Sequence, residues 1–352
     1  MARYLIVGAG IVGAAIAERL TALGEDVLIV ASGPGDATMA SFGWINASFY
    51  NDEAHFRLRQ ASLLTWERLN IAPFCGTLSW EGDVEAKAAE LQALGTSVEI
   101  RSREELWQLE PNLRAVPNRV LRIPGETVVD SGAVARRLLE TAYAKGAKGV
   151  FGQSVRTVLT DERRAVGIET DAGIFLADRV VLAAGKGTSE LLVDLGIHLP
   201  MLRSPADMLV TRPTEPLLAH VLVTGEREIK QDAKGRFWVP SSPAHQEING
   251  EPEAFNLEAV SQASMAVLKR YLPVDDLGWE QVVRAERPVP GDGLPVVGAT
   301  GIEGLDLAVM HSGVTLAPIV AQLLVDEMRC AGSNEARALL EPYRLARFES
   351  DD

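Results

Sequence analysis

Two stretches of this 352-residue sequence hold residue types whose spacing can do chemistry, and they stand near opposite ends of the chain. Close to the start, the apolar run Tyr4-Leu5-Ile6-Val7 leads directly into Gly8-Ala9-Gly10-Ile11-Val12-Gly13. Such a run is short enough for a buried parallel strand. Gly8 permits a tight turn, Gly10 lets a pyrophosphate approach the backbone, and Gly13 lets a helix pack close to the strand. The alanine-rich segment Ala14 to Leu23 reads as that helix, stopping at Gly24, and its free amides and positive end face the phosphates. With a second apolar strand, Val27 to Val30, the unit is βαβ and predicts a dinucleotide site. The second stretch combines Arg287-Pro288-Val289-Pro290-Gly291-Asp292-Gly293-Leu294-Pro295 with His311-Ser312-Gly313. Arg287 is a permanently charged fork that suits a carboxylate. Its competing assignment is a surface salt bridge to Glu286 or Asp292.

One position departs from the dinucleotide pattern. The end of the second strand normally carries an acid that accepts hydrogen bonds from the adenosine ribose, and here it carries Ala31. Ser32 or a backbone group is left to substitute, so the ribose grip is expected to be weaker. No nearby arginine is placed to read a 2′-phosphate, which disfavours NADP.

The elements that must position these residues alternate between helix and strand. Asn51 to Leu69 has Phe56, Leu63, Trp66 and Leu69 at helical spacing, with Asn51 or Asp52 as cap. Glu104 to Glu110 reads as a short helix ended by Pro111. Val129 to Gly146 repeats the amphipathic pattern, Val155 to Val158 and Ala165 to Thr170 alternate as strands, and Asp178 to Gly185 is a buried strand leading into a turn. Ser204 to Val283 is rich in strand and turn signals, among them Lys234-Gly235 before Arg236-Phe237-Trp238-Val239. The fold class is therefore α/β, a Rossmann-like dinucleotide domain interwoven with a β-rich α+β domain. We assign residues 1–74, 125–202 and 284–352 to the first and 75–124 and 203–283 to the second.

Composition sets the limits. A formal charge of −14 leaves no basic footprint for nucleic acid. The two cysteines, Cys75 and Cys330, lack metal-ligand or disulfide-framework spacing and are expected to pack in the interior, and no metal site is indicated. The apolar run after Met1-Ala2-Arg3 is broken by glycine after Val7, too early for a signal peptide, and no stretch approaches the ~20 apolar residues of a membrane span. A cytoplasmic, soluble protein is the expectation.

The ordered motifs resemble the D-amino-acid oxidase superfamily, which includes glycine oxidase, sarcosine oxidase and the D-amino-acid dehydrogenases. The resemblance rests on the glycine motif, Leu109-Glu110-Pro111, Val181-Leu182-Ala183-Ala184-Gly185, the Arg287 to Gly298 segment, His311 to Pro318 and the ending Glu341 to Phe348, and it covers nearly the whole chain. It implies non-covalent FAD, since no cysteine lies near the His311 loop. Gly8, Gly10, Ile11, Val12 and Gly13 would hold the pyrophosphate, with Ser32, Ala184 and Gly185 nearby. Ser41, Phe42 and Gly43 would pass under the flavin. Gly313, Val314, Thr315 and Leu316 would open the last helix, running to Met328, and aim its amides at the flavin pyrimidine.

The same resemblance makes Arg287 the clamp for a substrate carboxylate, with Lys230 a weaker candidate. Trp44, Phe49, Tyr50 and Trp238 are candidate pocket aromatics, although aromatics at such places more often belong to a core. His311 is a candidate base, and a histidine in such a loop serves more often as a structural hydrogen-bonder. The implied reaction is oxidation of the C–N bond of a small amine or amino acid, of the D-amino acid or N-alkyl glycine type, with hydride passing to flavin and the imine hydrolysing. The electron acceptor would be O2 or a quinone or other carrier. A nicotinamide-dependent dehydrogenase and a flavin-binding protein without amine turnover are the competing readings.

Overall fold

In the computed structural model the described residues are 2–70, 75–241 and 256–348. The domain assignment made from the sequence also takes in residue 1, 71–74, 242–255 and 349–352, which lie outside them.

The first strand, helix and strand run as expected: β1 (Ala2–Val7), α1 (Ile11–Ala22) and β2 (Val27–Ala31). The helix starts earlier than Ala14, because the turn through Gly8 and Gly10 delivers the chain to helical geometry at once. Its end is closed by Gly24 at φ +80°, where the Gly24 amide donates to the Thr21 carbonyl and the Glu25 amide to that of Leu20. β1 pairs in parallel with β2 on one side and with the strand Gly173–Leu182 on the other. The order across the sheet is Val296–Ala299, Leu305–Val309, Gly173–Leu182, β1, β2, Lys148–Phe151, and the strands Val155–Asp161 and Arg164–Thr170 extend it as a meander. The chain leaves β1 toward one side and returns on the other, so the carboxyl end of β1 is a switch point where open α/β sheets bind ligands.

Both faces of this sheet are covered. Tyr4, Ile6 and Ile29 look toward α1, the helix Ser131–Ala144 and the last long helix; Leu5, Val7 and Val30 look toward the meander and Leu191, Leu192 and Leu199. Continuous burial of this kind is what an unbroken apolar run encodes in a parallel strand. At roughly 1.5–3 kcal/mol for each fully buried aliphatic side chain, these layers fix the carboxyl ends of the strands.

The helix α2 (Glu53–Leu69) is capped by Asp52, whose side chain accepts from the His55 amide. A second eight-stranded sheet contains β3 (Thr77–Ser79), β4 (Glu228–Gln231) and β5 (Trp279–Glu286). Its order is β5, Pro205–Thr211, Phe237–Pro240, β4, Val221–Val223, β3, Arg119–Ile123, Glu99–Ser102. One side is packed by the helix Leu257–Tyr271 through Met265 and Leu268, and the other meets Phe42 and Trp44 through Met208, Val221 and Val223. The last long helix α3 runs from Gly313 to Met328, the bounds the resemblance implied. Cys75 is half-buried, and Cys330 is exposed just past α3, at φ +55°, rather than packed inside as expected. Among the described residues no helix is long and apolar enough to cross a membrane.

Candidate active site

A cleft of about 820 Å³ opens at the carboxyl end of β1, within the usual range for small-molecule and cofactor pockets. At one end it is lined by Gly8, Gly10, Ile11 and Val12, and α1 starts there without a side-chain cap on Gly10. Gly8 stands at φ +110°, and a Cβ on it would overlap the Ala183 carbonyl, while a Cβ on Gly13 would overlap the carbonyl of Gly8. The turn is thus closed to any larger side chain. The Ile11 amide donates to Thr38 Oγ1 at 3.0 Å, which ties the loop 35–43 to the same turn. These are the features a pyrophosphate requires: bare backbone, an uncapped helix start and close approach.

The ribose end is neutral at the strand terminus, as Ala31 implied. Ser32, Gly33, Gln153 and Ser154 line it, and the Gln153 amide donates to the Ala31 carbonyl. Gln153 and Ser154 come from the turn after an adjacent strand, and nothing in their spacing marks them in the sequence. The nearest acid in the lining is Asp36, five positions beyond Ala31.

The same cleft is also lined by Ser41, Phe42, Gly43, Trp44, Ala184, Gly185, Arg287, His311, Gly313, Val314 and Thr315, with Ala184 beside Gly8 and Gly313 beside Val12. Residues far apart in sequence therefore line one cleft. Leu316 is fully buried behind the first turn of α3. Trp44 is buried edge-on to Phe49 at 4.9 Å, and its Nε1 donates to Thr77 Oγ1. Trp238 is not in the lining, and its Nε1 donates to Asp232 Oδ2 at 2.9 Å. Lys230 is buried between the rings of Phe42 and Trp238, its Nζ 5.2 and 5.1 Å from their centroids. Burial lowers its ammonium to about 8, against Asp232 and Asp130.

Arg287 does not pair with Asp292, which is held bidentately by Arg347. Its Nε donates to the Ser204 carbonyl at 3.4 Å, and burial pulls its guanidinium below the ordinary value while Glu286 and Glu228 pull it back up. A desolvated guanidinium at a cleft wall is a strong receptor for a carboxylate.

Two charged residues that the sequence reading passed over hold the loop between the cofactor end and α3. Arg59 Nε donates to the Asn46 carbonyl at 3.1 Å, Nη2 to Asn46 Oδ1 at 2.6 Å, and Nη1 to Ser312 Oγ at 2.7 Å. Glu126 accepts from the amides of Ala47 and Ser48 on the same loop, at 3.1 and 3.0 Å. Burial lowers Arg59 to about 10, opposed by Glu126, and raises the Glu126 carboxyl. Arg59 also lines a second cleft of about 460 Å³, with His311 and Ser312 shared between the two. A signal existed: Arg59 stands on the stripe of Phe56, Leu63 and Trp66, where a charge is out of place.

Comparison with known proteins places the chain among relatives of known kind. The chain is 27% identical over 256 residues to a D-amino acid dehydrogenase of Cereibacter sphaeroides, covering 69% of this chain and 57% of the relative. It is 27% identical over 230 residues to a glycine oxidase of Pseudomonas aeruginosa, 64% of this chain and 62% of that one. The matched stretch thus spans about three fifths of these relatives. The structure superposes on glycine oxidase from Geobacillus kaustophilus with a TM-score of 0.84 at 22% identity, over 99% of both chains. L-proline dehydrogenase from P. horikoshii gives 0.85 at 20%, over 99% of this chain and 98% of the other, so the fold is shared. Residues 3–327 match the model of the FAD dependent oxidoreductase family, and with the glycine turn, the Ser41–Trp44 loop and the α3 amino terminus converging on one cleft, the chain belongs to that family.

Proposed function

We propose that this protein is an enzyme oxidising the C–N bond of a small amino acid or amine, with FAD held non-covalently in the large cleft. When bound, FAD supplies the hydride acceptor. Gly8, Gly10 and Ile11 to Gly13 would carry its pyrophosphate, and the first turn of α3 would face the pyrimidine edge, where the helix dipole favours negative charge. Arg287 binds the substrate carboxylate and orients the C–H bond, while the packed walls of Phe42, Trp44 and Met208 exclude water. The observation that carries the reading is a half-buried arginine that lines the same cleft as the α3 amino terminus.

Residues 1–74, 125–202 and 284–352 would form the cofactor domain, and 75–124 and 203–283 the substrate domain. The two eight-stranded sheets support that division, and a cytoplasmic setting accords with it. Anaerobic mixing with a panel of D-amino acids, N-alkyl glycines and their decarboxylated amines should bleach the flavin absorbance for the carboxylate-bearing members. Admitting air then separates O2 from a quinone or carrier as acceptor. A protein that no amine or amino acid bleaches refutes the reading.

A further inference from the structure

Two side chains of α2 one turn apart, His55 and Arg59, line the second cleft of about 460 Å³. Both are buried, at 4% and 3% exposure. The Asn51 amide donates to His55 Nδ1 at 3.3 Å, and a neutral imidazole accepts on one nitrogen only, so Nε2 carries the proton. Burial, then Arg59, hold the ring neutral by lowering it to about 3. The same Nε2 lies 3.5 Å from Arg59 Nη1, which donates to Ser312 Oγ at 2.7 Å. Two donors therefore face each other, and neither satisfies the other.

The charge of Arg59 is also incompletely matched. Its hydrogen-bond acceptors among the described residues are the Asn46 carbonyl, Asn46 Oδ1 and Ser312 Oγ, all neutral. Glu126 and Tyr343 act on it only through space, and Glu126 Oε1 already accepts from the Ala47 and Ser48 amides. A desolvated cation beside a buried N–H without an acceptor calls for an anionic oxygen in the space that both line. The exposed charged members of the same lining are acids, Glu81, Asp83 and Glu90. A second carboxylate on a ligand would meet them unfavourably, whereas an ammonium would be matched.

We propose that His55 and Arg59 form a second carboxylate site, in the smaller cleft and separate from Arg287, that takes a small monocarboxylate. The carboxylate accepts from His55 Nε2 and Arg59 Nη1, and no covalent bond is made or broken. Its source is the substrate amino acid or the 2-oxo acid left when the imine hydrolyses. Naming those sources rests on the amino-acid reading above, while the site itself rests on the geometry of His55 and Arg59. Arg59, His311 and Ser312 line both clefts, so a carboxylate held here adjoins the cofactor cleft.

The test is calorimetric titration of the flavin-loaded Arg287→Ala protein, which lacks the clamp assigned to the larger cleft, with propionate, succinate, pyruvate and D-alanine at neutral pH and low salt. One propionate should bind per chain, and succinate should bind less tightly. Adding His55→Asn keeps an oxygen for the Asn51 amide but removes the Nε2 proton, and should weaken propionate about tenfold. His55→Gln returns an N–H near that place and should recover part of the loss. In the parent protein, whose fold no His55 change has touched, the ring nitrogen-15 spectrum should show a histidine N–H that shifts as propionate saturates. Pyruvate binding more tightly than D-alanine assigns the site to product, and the reverse order assigns it to substrate. No bound propionate, succinate as tight as propionate, unchanged affinity in His55→Asn, or no shifting histidine would overturn the site and leave amino-acid oxidation standing. A wild type whose flavin no amine or amino acid bleaches overturns that reading instead, and the propionate titration still decides the site.

Discussion

The two ends of the large cleft are made by different physics. At the pyrophosphate end the chain offers backbone: Gly8 and Gly13 are small because the Ala183 and Gly8 carbonyls fill the space a Cβ would take, and α1 starts without a side-chain cap. Around Arg287 and Ser312 the chain offers side chains carried by separate strands and loops. Arg287 follows β5, and Arg59 reaches from α2 to the cap of α3. Backbone recognition is local and tolerates no change of size, whereas side-chain recognition is long-range and is tuned by burial.

The sharpest way to break the backbone end is Gly8→Val. Its φ of +110° costs a β-branched residue about 1–3 kcal/mol, and overlap with the Ala183 carbonyl adds about as much, so loss of folded holoprotein is expected. Gly24→Ala is the matched control, since Gly24 also has positive φ, at +80°, but nothing within 4 Å of a Cβ. It should cost only about 1 kcal/mol. Chemical denaturation and bound flavin measure both, and equal losses would show that turn conformation, not close approach, is what the first motif protects.

Arg59→Met tests whether the side-chain end depends on a charge it does not present directly. The substitution strips donors from both oxygens of Asn46 and from Ser312, and removes the guanidinium that Glu126 acts on. A loss on the order of 3 kcal/mol in stability is expected from hydrogen bonds made by a charged group. Unchanged stability in denaturation would mean that the Asn46 to Ser48 loop is held by Glu126 alone.

Arg287→Ala should act on function rather than folding, with about a hundredfold loss in kcat/KM, close to 3 kcal/mol, and unchanged flavin content. Arg287→Lys should restore only part, because an ammonium does not reproduce the guanidinium fork. The decisive comparison is an amino acid against its decarboxylated amine. Wild type should prefer the acid and the alanine variant should not. Equal preference in both would remove Arg287 from the site.

What could be read from the sequence follows the same division. Tyr4 to Gly13 was legible because it encodes its own strand, turn and helix start within a short window, whereas Gly313 to Met328 was reached through the family resemblance. The strand expected to start at Asp178 begins at Gly173, because it is also the last arm of the meander and the antiparallel partner of Arg164–Thr170 sets its start. Trp238 was read as a pocket aromatic, but its indole N–H donates to Asp232, six residues away in the hairpin.

The smallest effect expected bears on the ribose position, where the dinucleotide pattern calls for a side chain. Relatives of the dinucleotide pattern hold the ribose with an acid at the end of β2, and here that position is Ala31, 5% exposed, beside Ser32 and Gln153. Ala31→Glu adds a carboxylate where two hydroxyls of a ribose would meet it, worth about 1 kcal/mol for a net charged hydrogen bond after desolvation. FAD should then bind the apoprotein roughly fivefold more tightly in fluorescence titration, with substrate preference unmoved. An unchanged or weaker affinity would show that Ser32, Asp36 or the Gln153 turn already satisfies the ribose, and that this end too has passed part of its recognition to residues outside the motif.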